Sequence, residues 1–147
     1  MAIENNFDIV LTDAQRDALR QELTTLEGLF NFTLTLSPRD RKELVRGGPA
    51  SESFMQGSLQ LAKEHPEILP RDMDVEAMSR DMDVRPFLTE MRNRVATLLV
   101  RIDDTAAVCG SEAYQAALQV YRSARTNGQG MGLDEHIEEL ARRFKQV

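Results

Sequence analysis

The spacing of apolar residues between Val84 and Cys109 is the feature that most constrains the fold of this chain. Residues suited to a core recur there at alternating four- and three-residue steps, so they share one face of a helix. They are Val84, Leu88, Met91, Val95, Leu98, Ile102, Thr105 and Cys109. Gly110 suits the left-handed conformation that ends helices, and Ser111 suits an N-cap. The sequence therefore predicts that the chain reverses at residues 109–111, giving two antiparallel helices.

Helical patterns also occupy the rest of the chain. Thr12 and Gln15 have the spacing of a capping box, and an apolar stripe at helical spacing follows. That stripe consists of Leu19, Leu23, Leu26 and Phe30, with Leu29 beside it. Further N-caps are expected at Ser37, before Pro38, and at Ser51 and Asp134. Because no segment alternates convincingly as a strand does, we predict an all-α fold, an antiparallel four-helix up-and-down bundle with short accessory helices.

The length of 147 residues suits a single domain with its own core. We expect an N-terminal tail over residues 1–11, docked through Phe7, Ile9, Val10 and Leu11. The helical-bundle domain is expected to cover residues 12–147. The predicted bundle needs no metal or disulfide to supply its stability.

Composition restricts the location and the partners. One cysteine cannot form an internal disulfide, and residues 1–6 lack the basic start and apolar run of a secretory signal. No apolar stretch approaches the roughly 20 residues that span a bilayer. A net charge of -6 repels nucleic-acid phosphates. We therefore expect a cytoplasmic protein that binds neither nucleic acid nor membrane.

The segment Arg71–Val75 is repeated residue for residue as Arg80–Val84. Aspartates cap helix starts, so we expect two successive helix starts, at Asp74 and at Asp83. Pro86 is compatible with a start at Asp83, because a proline in the first turn lacks only an N–H that has no partner there. A calcium loop would need glycine at Ala77 and a bidentate glutamate at Asp83, so calcium binding is not expected.

The histidines, the cysteine and the glycine-rich segment could in principle form functional sites, but each has a structural explanation. Di-iron bundles use Glu-x-x-His pairs, whereas both histidines here directly follow a glutamate. Asp134, His136 and Glu139 could gather a weaker metal site, but a charged helix start explains them. Cys109 ends the apolar stripe and is expected to be a buried structural residue, with a reactive thiol as the alternative. The glycines of residues 128–132 follow a helix, so we interpret them as a helix stop. No cofactor or metal is expected.

Two tyrosines offer the best candidate pocket. Tyr114 and Tyr121 are seven residues apart and share a helix face. With Asp103, Asp104 and Glu112 they could line a pocket near the predicted hairpin tip. Tyrosines in such positions more often bury their rings at the edge of a core and bond outward. Thr105, the one hydroxyl residue on the stripe, is expected to bond back to the carbonyl of Arg101.

Charge is distributed unevenly along the chain. Residues 37–48 carry a basic surplus from Arg39, Arg41, Lys42 and Arg46. Residues 64–84 carry an acidic surplus that includes Asp72, Asp74, Asp81 and Asp83. Solvated faces are the usual explanation, but opposite patches on one chain can also steer a second copy. They predict a weak homodimer in which each basic patch meets the acidic patch of the other copy.

Short motifs in the second half of the chain carry a family resemblance. They are Asp104-Thr105, Gly110-Ser111-Glu112-Ala113-Tyr114, Ala117-Leu118 and Tyr121, with the connector Pro66-Glu67-Ile68-Leu69-Pro70 before them. The chain resembles a family of small, functionally uncharacterised bacterial helical-bundle proteins. The resemblance implies a helical bundle and a bacterial cytoplasmic origin, and it transfers no catalytic or binding residue.

The sequence is compatible with two functions. The first is a non-enzymatic helical bundle that binds an unidentified protein or itself. The second is a bundle that binds a small ligand or a metal beside Tyr114 and Tyr121. An apolar stripe filled by side chains favours the first, whereas a cavity lined by convergent polar groups favours the second.

Overall fold

Five α-helices, in the order of the chain, carry the fold of the computed structural model, which describes residues 7–146. They are α1 (Asp13–Leu29), α2 (Pro38–Glu43), α3 (Glu52–Glu64), α4 (Val75–Asn127) and α5 (Asp134–Phe144). Single 3-10 turns at Pro49–Ser51 and Pro66–Ile68 flank α3. Helices account for 76% of the described residues, and no strand occurs among them. The prediction of an all-α fold is confirmed, whereas an antiparallel four-helix bundle is not.

Three helix starts follow from local hydrogen bonds that the sequence predicts. The Gln15 amide N–H donates to the Thr12 hydroxyl at 3.2 Å, and the Thr12 N–H donates to the Gln15 side chain at 2.9 Å, so the capping box is confirmed. Ser37 caps α2, with Pro38 in its first turn. Asp74 caps α4 by accepting the Ala77 N–H at 2.8 Å.

Two predicted caps are wrong in detail. Ser51 lies at the N-cap of α3, but its side chain makes no capping bond, because a 3-10 turn leads directly into the helix. Asp134 is the first residue of α5 rather than its cap, and Leu133 lies at the cap position. Asp134 still places a negative charge in the first turn, where the helix dipole favours it.

The predicted chain reversal at residues 109–111 is wrong, because α4 continues through Gly110 as part of one helix of 53 residues. Among the described residues only Gly130 and Gly132 have positive φ, so Gly110 does not adopt the conformation of a helix stop. The Ser111 hydroxyl accepts the Gln115 side-chain amide at 3.2 Å instead of capping a new helix. A glycine inside a helix costs only about 1 kcal/mol relative to alanine, which the alanines on either side can offset.

The predicted second helix start at Asp83 is also wrong. The helix that Asp74 caps continues past Asp83, and Pro86 lies inside it. A proline there removes one backbone hydrogen bond, because it has no N–H to donate to the carbonyl four residues earlier. The first copy of the repeat therefore lies before the helix, apart from Val75, whereas the second copy lies inside it.

The chain divides into two compact units. The first covers Leu11–Arg94 and holds α1, α2, α3 and the start of α4. Within it, Arg85 forms an ion pair with Glu52 at 2.7 Å, and the Lys63 ammonium donates to Ser79 at 3.2 Å. These two contacts follow opposite orders along the chain, so α3 runs antiparallel to the start of α4.

The second unit groups residues 7–10 with residues 95–146. Gly130 and Gly132, with φ of 78° and 74°, let the chain turn between α4 and α5. Gly128 is buried just after the end of α4. A Cβ added at Gly128 would lie 2.5 Å from the Ala124 carbonyl oxygen and 3.3 Å from the Ile137 side chain. The close contact with the Ala124 carbonyl at the end of α4 therefore requires glycine here, and the Ile137 side chain of α5 lies just beyond it.

The apolar stripes are not buried within the chain, contrary to the prediction. Val95, Leu98 and Ile102 are 50%, 52% and 54% exposed, and Leu19 and Leu23 of α1 are exposed as well. Among the described residues, Ala62 is the one buried apolar side chain. We call Val95, Leu98, Ile102, Thr105 and Cys109 the α4 face. The residues after Gly110 were expected to form a second helix packed over this face, but they continue α4 in the same direction.

The continuity of α4 predicts opposite effects of alanine at two glycines. Gly110→Ala should raise the free energy of unfolding by about 0.5–1 kcal/mol, because a helical Gly gains from a Cβ that meets no neighbouring atom here. Gly128→Ala should lower it by about 1 kcal/mol or more, because the Cβ clashes with the Ala124 carbonyl.

Urea titration followed by circular dichroism measures both changes. Gly57→Ala is the matched control, because Gly57 also lies inside a helix with open space around it. A loss of stability in the Gly110→Ala variant alone would mean that the chain turns at Gly110.

Candidate functional site

A groove between α4 and α5 contains both tyrosines of the predicted pocket. Tyr114, Ala117, Leu118 and Tyr121 form its α4 wall, because steps of three and four residues place them on one helix face. Leu140, Arg143 and Phe144 form its α5 wall. The groove encloses about 190 Å³.

Aromatic contacts hold the two walls together. The rings of Tyr121 and Phe144 stack with their centroids 6.0 Å apart and their planes 26° apart. The guanidinium of Arg125 lies 5.9 Å from the centroid of the Tyr121 ring, on α4 itself. A ring pair of this kind contributes roughly 0.5–1.5 kcal/mol, so the contact between Tyr121 and Phe144 favours α5 in this position.

The acidic residues of the predicted pocket lie elsewhere. Asp103 and Asp104 lie on exposed turns of α4 and do not line the groove. Glu112 lines a different cavity. The prediction failed for these three residues because it assumed a hairpin tip at residues 109–111. Leu140 and Phe144 are four residues apart, and this helical spacing is the sequence signal for their wall of the groove, whereas Arg143 has no such signal.

One ion pair on α5 sets the charge beside the groove. The Arg143 guanidinium donates to the Glu139 carboxylate at 2.6 Å, one helical turn away. This hydrogen bond, together with the charge of Arg143, holds the pKa of Glu139 below its usual value. The groove therefore has aromatic and aliphatic walls with one guanidinium at its edge, a set that suits an apolar ligand with an anionic group.

A second cavity, of about 430 Å³, lies where residues 7–9 meet α4. Cys109, Glu112, Ala113, Ala116 and Gln119 line it from the helix, opposite Phe7, Asp8 and Ile9. Cys109 is exposed, so the prediction of a buried structural cysteine is wrong. The predicted tail thus approaches α4 through Phe7 and Ile9, while its first six residues lie outside the described part of the chain.

The thiol and hydroxyl of the α4 face have different surroundings. The Thr105 hydroxyl donates to the Arg101 carbonyl at 2.7 Å, as predicted. The hydrogen of that hydroxyl is therefore satisfied within its own helix. Cys109 lies one turn further along the same face, at the edge of the cavity with residues 7–9.

The two charged patches both lie in the first unit, and little of their charge is neutralised inside the chain. Arg39 pairs with Glu43 at 2.9 Å, and Asp74 lies 3.7 Å from Arg80. Each of these pairs lies within one patch, and the second joins the two copies of the repeat. Within residues 7–146 no ion pair joins the basic patch to the acidic patch.

The part of the chain that the structure describes contains neither a cluster of metal ligands nor a helix suited to crossing a membrane. Asp134, His136 and Glu139 do not gather, and no other group of three or more potential ligands does so in the described part of the chain. Between residues 7 and 146, no helix combines the length and apolarity that crossing a bilayer requires.

No family model, curated protein or solved structure matches the chain. The resemblance to a bacterial helical-bundle family therefore stays a prediction. The function has to be argued from the surfaces themselves.

The Glu139–Arg143 contact predicts a pH effect of defined sign. A carboxyl whose pKa is lowered by folding stabilises the fold above its ordinary pKa, and this contribution disappears as the pH falls through the lowered value. Arg143→Gln should raise the pKa of Glu139 toward its usual value, because the principal cause of the shift is removed.

An NMR titration of the Glu139 carboxyl carbon measures this change. Arg142→Gln is the control, because Arg142 acts on Glu139 only through a weaker charge interaction. Equal pKa changes in the two variants would contradict the assigned hydrogen bond.

Proposed function

We propose that this chain is a non-enzymatic helical-bundle protein that acts by binding another protein or a second copy of itself. The observation that carries the proposal is the exposure of Val95, Leu98 and Ile102, which are spaced as a helix-packing face yet are about half exposed. Because about half of each side chain is already covered, burying the rest on association contributes roughly half of the value for full burial, about 0.8–1.5 kcal/mol each. An apolar face of this kind is typical of a surface that a partner covers.

The bundle itself belongs to this proposal. Antiparallel four-helix packing needs helices that cover each other's apolar faces. Here α1 and α4 both present exposed leucines, so helices from a partner would complete the bundle core. Bundle formation and protein binding are then one event. The part of the core that a single chain does not supply comes from the partner.

The charged patches support a homodimer as one form of this assembly. Among residues 7–146, Arg41, Lys42 and Arg46 form no ion pair, and neither do Asp72, Asp81 and Asp83. A two-fold arrangement would set each basic patch against the acidic patch of the other copy. Exposed ion pairs contribute only about 0–1 kcal/mol each, so they would orient the copies while the apolar faces supply the affinity.

We place this function in the cytoplasm of a bacterial cell. Support comes from the exposed thiol of Cys109, because a reducing compartment keeps such a thiol from oxidation. The bacterial origin rests on the resemblance alone.

A second candidate function is ligand binding in the groove beside Tyr114 and Tyr121. The stacked Tyr121 and Phe144 rings and the adjacent Arg143 favour it. Phenylacetate, with one ring and one carboxylate, is a suitable NMR probe. Saturable shifts of groove residues that are lost in Phe144→Ala would support this function, and shifts spread over the whole chain would reject it.

The proposed function predicts that Leu98 is needed for association. Leu98→Glu should weaken self-association or partner binding by about tenfold or more, because an apolar contact is replaced by a charge that must lose water. Val100→Glu is the matched control. Val100 is equally exposed, at 57%, but lies about 200° around the helix from Leu98.

Analytical ultracentrifugation over a concentration series measures self-association of the wild type and both variants. Weakening by Leu98→Glu alone supports the α4 face as the binding surface. Association that is unchanged by Leu98→Glu, or weakened equally by Val100→Glu, would contradict it.

A further inference from the structure

The α4 face has the residue pattern of a two-stranded coiled coil. Counting from Val95, its members fall at alternating a and d positions of a heptad, with steps of three and four residues. Val95 and Ile102 take a positions, and Leu98 takes a d position. β-branched residues at a with leucine at d favour parallel pairs of helices over larger assemblies.

We infer that a second copy of this chain covers the α4 face, parallel and in register. This inference rests on the proposed function and names the partner and its orientation. Each residue of the face then packs against the same residue of the other copy.

The charge flanking the face favours the parallel orientation. Arg101 lies at the g position beside Ile102, whereas Leu99 and Ala106 lie at e positions. In a parallel pair, g faces the e position five residues later, so Arg101 lies beside Ala106 of the second copy. In an antiparallel pair, a faces d and g faces g, so with Ile102 opposite Leu98 the Arg101 side chain would lie against Arg101 of the second copy. Like charges at that distance repel.

The polar residues of the face favour the same register. The Thr105 hydroxyl already donates to the Arg101 carbonyl, so covering this residue leaves no donor unsatisfied. In register, Thr105 packs against Thr105 and the Cys109 thiol lies opposite the other Cys109. A shift by one heptad would instead place Thr105 and Cys109 against Leu98 and Ile102.

The length of the face is set by the chain itself. From Cys109 onward the corresponding side of α4 faces Phe7, Asp8 and Ile9 across a cavity, and Cys109, which stays exposed, is the first α4 residue that lines it. The part open to a second copy in this unit is therefore Val95–Cys109, about two heptads. A pair of this length is expected to be weak and to depend on concentration.

The exposed Cys109 thiol serves as the reporter of this arrangement. Copper phenanthroline with oxygen oxidises two thiols to one disulfide, each thiol giving up one proton and one electron to the oxidant. A parallel in-register pair places the two Cys109 residues at facing a positions, within reach of a disulfide. We therefore expect the wild type to form a cross-linked dimer at low micromolar concentration.

Cysteine scanning distinguishes the possible orientations. Val95→Cys in a Cys109→Ser background should also form homodimers, because Val95 is another facing a position. When that variant is mixed with the wild type, the parallel register predicts no mixed disulfide between position 95 and Cys109. An antiparallel pair sets a positions against d positions, so Ile102 lies opposite Leu98 and Val95 lies opposite Thr105, and neither homodimer disulfide is expected.

Leu98→Glu and Val100→Glu complete the test in the wild-type cysteine background. Leu98→Glu should reduce the rate of Cys109 cross-linking by about tenfold or more, and Val100→Glu should leave it unchanged. Mixed disulfides, or association without any cross-link, would overturn the parallel register while leaving protein binding by the α4 face intact. If the rate of Cys109 cross-linking is the same in the wild type and in both variants, the disulfide forms by random collision. That result would overturn the inference together with the proposed function.

Discussion

The unbroken backbone hydrogen bonding of α4 through Gly110 is the constraint on which the rest of the structure depends. A glycine inside a helix loses about 1 kcal/mol relative to alanine, but a chain reversal would break several helical hydrogen bonds at once. Because Gly110 stays helical, the segment after it continues the helix instead of folding over the residues before it. The α4 face is exposed for this reason, and its apolar residues become available to another chain.

Helix starts were predictable where the signal is local. The capping box at Thr12, the Ser-Pro start at Ser37 and the Asp74 cap each depend on residues within one turn, and all three form as predicted. The all-α class was predictable for a similar reason, because helical spacing extends over most of the chain. Thr105 bonding to Arg101 is likewise a contact within one helix.

Predictions failed where two local signals competed or where a distant partner had to be assumed. Gly110-Ser111 suits a turn, yet it also fits inside a helix. The sequence alone does not show which of the two conformations has the lower free energy. Asp83 and Pro86 posed the same choice, and continuation of the helix from Asp74 prevailed. Burial of Leu98, Ile102 and Cys109 assumed a covering helix that the reversal would have supplied. The spacing identified Tyr114 and Tyr121 as one wall of a groove, but the opposite wall depends on how the loop at Gly128–Gly132 returns α5.

The most direct test of this account is a distance measured across Gly110. Spin labels on Val100→Cys and Val120→Cys, in a Cys109→Ser background, are 20 residues apart at positions that are both exposed. At 1.5 Å per residue, a continuous helix predicts a separation of about 30 Å between the labelled backbone positions. Pulsed electron–electron double resonance on the doubly labelled chain, diluted with unlabelled protein, measures this distance within one molecule. A separation of about 10 Å, the spacing of two packed helices, would show that the chain reverses at Gly110 and would contradict the account.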